Sequence, residues 1–138
     1  MFTAPAASRD ARPSAWAIRV HDLALARAFY GELLGCREAA PVERALSFDF
    51  FGVQLAVWPD EAGLPGAPDA ARLLDVRLAL PQWRNLAQRL IAAGTRFEVP
   101  PHCEHEGRAD ARWTMFIRDP SGNALAICAS EGAAPRWH

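Results

Sequence analysis

The sequence predicts an α+β chain made of two βαβββ modules, and three observations carry that prediction. The runs AIRVHDLALARAFYGELLG (17–35) and DVRLALPQWRNLAQRLIAAG (75–94) each pair an extended segment with an amphipathic helix that closes on a glycine. Three short extended runs separated by turn residues follow each helix. A Pro/Gly/Ala-rich segment, PDEAGLPGAPDAAR (59–72), divides the two copies.

In chain order, 1–14 is polar and small and reads as a flexible tail, and the first module covers 15–58. Its opening strand runs into Asp22, a natural N-cap. Leu25, Ala28, Phe29, Leu33 and Leu34 form the predicted apolar stripe of the helix, which stops at Gly35. Strands are expected at 36–43, 45–51 and 53–58, with a turn at Gly52. The linker 59–72 leads to the second module, 73–130, where Pro81 suits a first helical turn. There Trp83, Leu86, Leu90 and Ile91 make the stripe and Gly94 the stop. Strands are expected at 95–100, 111–117 and 123–129, with a turn from Pro120 to Asn123 and a tail at 131–138. A ferredoxin-like sandwich is the competing architecture, but it places fewer strands after each helix.

At 138 residues the chain suits one domain with a real core. Its apolar content of 51% and formal net charge of -1 give no basic surface for nucleic acid or acidic membranes. No apolar run approaches the ~20 residues of a membrane span, and the start lacks the apolar centre of a signal peptide. A cytoplasmic protein is therefore expected. Cys36, Cys103 and Cys128 are odd in number and widely spaced, which reads as reduced thiols. Every basic residue is arginine, so Schiff-base chemistry through lysine is excluded.

The segments VHDLALARAFYGELLGC, FFGVQLAVW and TMFIRDPSGNAL, within 15–129, resemble the glyoxalase, bleomycin-resistance and extradiol-dioxygenase (vicinal oxygen chelate) superfamily, and most of all its extradiol-dioxygenase-like branch. The resemblance implies a glyoxalase-like fold and a homodimer, with exposed strand edges as a physical reason to dimerise. It also implies metal ligands on the first and last strand of each module. The matching positions here are Ala15, Ala56, Leu73 and Ala126, all aliphatic. A transition metal needs nitrogen, sulfur or oxygen donors, so no metal and no other cofactor is expected. The run PPHCEHEG (100–107) groups His102, Cys103, Glu104, His105 and Glu106. It reads as a polar loop, with a loop metal site as the less favoured reading.

Strand alternation selects the residues that share a face with the old ligand positions. These are Arg19 and His21 on the first strand, Asp49 on the third, Gln54 and Trp58 on the fourth, and Asp75 and Arg77 opening the second module. Two accounts of that set are open. Either the arginines and aspartates form a closed ion-pair core, or Arg19 and Arg77 receive an organic anion whose flat part stacks on Trp58. The function expected is a metal-free small-molecule binding protein with no nucleic-acid or membrane partner. The alternatives are a metal-dependent dioxygenase or lyase, and a metal-independent enzyme using His21 or an aspartate as base.

Overall fold

The computed structural model describes residues 15–60 and 72–130. The expected tails and most of the linker, with His138, lie outside them. The first module is β1 (Ala15–Val20), α1 (Leu23–Ala26) running straight into a π-helical segment (Arg27–Leu33), β2 (Arg37–Val42), β3 (Ala45–Phe50) and β4 (Val53–Pro59). The second is β5 (Leu73–Leu78), α2 (Leu80–Ala92), β6 (Val99–Glu104), β7 (Arg112–Arg118) and β8 (Ala124–Ser130). Each module is a four-stranded mixed sheet, ordered β1-β4-β3-β2 and β5-β8-β7-β6. The outer strand of each, β1 or β5, runs parallel to β4 or β8.

The repeat holds residue by residue. Arg19 faces Trp58 across the β1–β4 ladder, and Arg77 faces Cys128 at the equivalent point of β5–β8. Both helices stop as expected, at Gly35 and Gly94 with φ of 76° and 75°. Asp22 caps α1 by accepting from the amides of Ala24 and Leu25.

Three local expectations are corrected. In the first helix the buried side chains are Ala26, Phe29, Tyr30 and Leu34, whereas Leu25 is 46% exposed and Ala28 points outward. The i→i+5 bond from the Leu34 amide to the Phe29 carbonyl widens the helical turn, so the buried face departs from the 3.6-residue stripe. In α2, Ala87 is buried and Ile91 is 58% exposed. The strand expected at 95–100 lies at Val99–Glu104, which puts His102 and Cys103 in a strand and not in a loop.

Residues from both modules form one continuous core, including Ile18, Tyr30, Phe48 and Leu55 from the first and Leu74, Trp83, Met115 and Ile127 from the second. Each such fully buried apolar side chain contributes on the order of 1.5–3 kcal/mol. The Asp-Pro-Ser-Gly-Asn hairpin fastens the modules together. Buried Asp119 accepts from the amides of Ser121 and Asn123 and from the Tyr30 hydroxyl. Buried Asn123 donates to the Arg19 carbonyl and accepts from the Arg72 amide. This hairpin, part of one of the three segments that carry the resemblance, is thus structural, since the polar atoms of Asp119 and Asn123 are consumed in holding strands.

Candidate functional site

Even-numbered core residues of β1 and β5 point to the helices, which leaves the odd-numbered ones on the opposite face of each sheet. On the second sheet a transverse row crosses that face: Arg77 beside Cys128, Cys128 beside Thr114, and Thr114 beside His102. The next row is Ser130, Arg112 and Glu104. A cavity of about 310 Å³ opens over the Arg77 end, lined by Arg77, Arg112 and Cys128 with an apolar wall of Leu78, Ala79 and Ala129.

The polar groups around it differ in how they are held. An Arg112 Nη2 donates weakly to Cys128 Sγ at 3.8 Å, and Thr114 Oγ1 lies 3.4 Å from the same sulfur. Glu104 stands between Arg112 and His102, 3.9 Å from Arg112 Nε and 3.5 Å from His102 Nε2. Arg77 makes no hydrogen bond or ion pair among the described residues, so its five donors face the cavity and solvent.

The residues expected to form one pocket are distributed over several places. Arg19 is bound to Asp60, Nε to Oδ1 at 2.8 Å. Trp58 is only 7% exposed and does not line the cavity, so it offers no stacking platform there. The bulky indole stands where the second module has only the Cys128 thiol, and the open volume lies on the side with the smaller residue. Gln54 and Asp49 line a separate cavity of about 300 Å³ on the first sheet, where Gln54 donates to Ser47 at 3.4 Å. Asp75 joins Arg77 only in a cleft of about 20 Å³ against Trp16, Phe50 and Phe51. His21 is engaged between modules, with its Nδ1 2.7 Å from Ser121 Oγ and its amide donating to that same oxygen.

The arginine pair of the second sheet is therefore Arg77 with Arg112. Sequence reasoning missed Arg112 as a site residue, although a signal was present: it stands two residues before Thr114, whose strand alternation puts both on the Cys128 face.

The residues do not fit a metal at the strand positions. Ala15, Ala56, Leu73 and Ala126 present hydrocarbon, and among the described residues no cluster of three His, Cys, Asp or Glu side chains could hold an ion. The 100–107 segment cannot substitute, because His102 and Cys103 are successive β6 residues and point to opposite faces. Two buried groups with raised pKa values, Tyr30 and Cys36, lie away from this cavity. Burial raises the Tyr30 hydroxyl above its ordinary range, reinforced by Asp119. Burial also pushes the Cys36 thiol up to about 12; Asp49 adds to that rise, while Arg89 and the Phe51 amide oppose it.

No protein-family model matches the chain, and no curated protein does. Solved structures do. A glyoxalase/bleomycin resistance protein/dioxygenase from Alicyclobacillus acidocaldarius is 28% identical, with a TM-score of 0.62 over 83% of this chain and 87% of its own. A glyoxalase/dioxygenase from Nostoc punctiforme is 18% identical, with a TM-score of 0.66 over 94% and 97%. Lactoylglutathione lyase from Agrobacterium tumefaciens is 18% identical, with a TM-score of 0.64 over 83% and 91%. The chain has the glyoxalase-like α+β fold, and these neighbours belong to the glyoxalase/bleomycin resistance/dioxygenase superfamily. No helix among the described residues is long and apolar enough to cross a membrane.

Proposed function

We propose that the protein binds a compact organic anion on the face of its second sheet, with no metal at the strand positions. The observation that supports this most is Arg77, a guanidinium with no partner among the described residues, at the edge of a cavity of about 310 Å³ with an apolar wall. That volume is at the lower end of small-molecule sites, and an apolar floor with a few polar groups is their usual chemistry. Arg77 supplies a forked donor pair for a carboxylate. Arg112, held only weakly by Glu104 and Cys128, supplies a second positive charge. The ligand's apolar body lies against Leu78, Ala79 and Ala129. Stacking on Trp58 forms no part of this reading, because the indole is buried elsewhere.

Nothing in this arrangement is a nucleophile–base pair aimed at the cavity, so the reading is binding and not turnover. The test is a calorimetric titration with benzoate and its neutral amide, benzamide. Binding of benzoate that weakens as salt rises, with benzamide bound at least tenfold more weakly, supports the proposal. Equal affinity for the two, or no binding of either, contradicts it.

A further inference from the structure

A further cavity, of about 350 Å³, lies at the junction of the modules. The first module contributes Arg37, Asp49 and Phe51, and the second contributes Gln82, Leu86 and Arg89. Arg89 reaches across the junction. Its Nη2 donates to the Glu32 carbonyl at 3.3 Å, and its guanidinium lies against Gly35, where a Cβ would stand 2.8 Å from Nη1. One backbone oxygen leaves most of its five donors without a protein acceptor. Arg37 makes no hydrogen bond or ion pair among the described residues. It stands opposite Asp49 in the β2–β3 register, yet no ion pair within 4.0 Å joins them. Asp49 accepts from the Gly52 amide through Oδ1. Its second oxygen accepts no hydrogen bond among the described residues.

We propose that this junction is a second binding site, in which Arg37 and Arg89 grip an oxyanion and Asp49 accepts from a hydroxyl next to it. Two guanidiniums against one carboxylate leave the cavity cationic, which selects an anion. A carboxylate facing the same space repels a bare anion but accepts a hydrogen bond from a hydroxyl, so it selects hydroxylated ones. The shared chemistry is a carboxylate or phosphate oxygen set with an adjacent O–H, as in a hydroxycarboxylic acid or a hydrogen phosphate. Because the two arginines belong to different modules, the ligand ties the modules together, and binding stabilises the folded chain by mass action.

The experiment is a titration of the full chain with malate, succinate and inorganic phosphate, read by calorimetry and by the shift in Tm. Malate binding about tenfold tighter than succinate identifies a hydroxycarboxylate, and phosphate binding tighter than both identifies a phosphate; either supports the site. Titrated in an Arg77→Met background, which silences the second-sheet site, Arg37→Gln and Arg89→Gln should each weaken the bound anion by about ten- to a hundredfold. Arg37 lies on an exposed strand and has no protein partner to lose, so its variant remains informative if Arg89→Gln is unstable. Binding indifferent to Arg37→Gln, binding abolished by Arg77→Met, or no binding by any of the three anions overturns the proposal. Retained benzoate binding in Arg37→Gln separates failure here from failure of the second-sheet site.

Discussion

The Tyr30 hydroxyl donates to Asp119 Oδ2 at 2.7 Å across 89 residues of sequence, joining the helix of the first module to the hairpin of the second. Both residues are buried, and Asp119 also holds two hairpin amides and the Asn123 carboxamide. A buried carboxylate with this many donors fixes the geometry of the turn and the seam between modules together.

Replacing Tyr30 by Phe keeps the ring in the core and deletes one donor to a charged acceptor. The expected loss is about 1.5–3 kcal/mol of folding stability, read from urea unfolding. An unchanged midpoint would show that the hydroxyl is not holding the seam.

Alkaline pH should weaken the fold. Tyr30 and Cys36 both have folded-state pKa values raised above ordinary ones of 10.0 and 9.0. The unfolded chain therefore releases these protons first, so their stabilisation is complete below pH 9 and lost as pH rises. Unfolding free energy should begin to decline above pH 9 and fall more steeply above 10, with Tyr30 adding up to about 1.4 kcal/mol per pH unit. Tyr30→Phe should flatten the steeper part; an identical slope would assign the loss to other groups.

Gly35→Ala tests the junction. At φ of 76° an L residue is disfavoured, and its Cβ would stand 2.8 Å from Arg89 Nη1. The expected cost is about 1–2 kcal/mol, with Arg89 displaced from the Glu32 carbonyl. A neutral effect on Tm would mean that the close approach is dispensable.

Much of the fold was legible because it is written in local signals. Asp22 as cap, Gly35 and Gly94 as stops, and the repeated strand–helix unit each follow from backbone chemistry that acts within a few residues. The misplaced stripe at Leu25 and Ala28 has a local cause too, but a π-helical turn leaves no mark in an amphipathic pattern. The strand at Val99–Glu104 was hidden by two prolines, which belong on an edge strand such as this one.

The site was half legible. Alternation correctly placed Arg77 on the face opposite the helix. What alternation cannot supply is which cross-strand neighbours leave space: Trp58 and Cys128 occupy equivalent positions, and only their packing decides where a cavity opens. Nor does it show that Arg19 finds Asp60 while Arg77 finds no partner among the described residues.

Metal analysis is a further check. With Ala15, Ala56, Leu73 and Ala126 at the strand positions, untagged protein dialysed after purification should hold well under one equivalent of zinc, iron, nickel or manganese. A stoichiometric metal that disappears in His102→Ala would reinstate a site built around β6.

The most direct measurement is the affinity for benzoate of the natural chain against Arg77→Met, which keeps side-chain length and deletes the charge. Arg77 has no protein partner to lose among the described residues, so Tm should stay within a degree or so while binding weakens by about ten- to a hundredfold. Unchanged affinity in a folded Arg77→Met variant would contradict the placement of the anion on the second sheet.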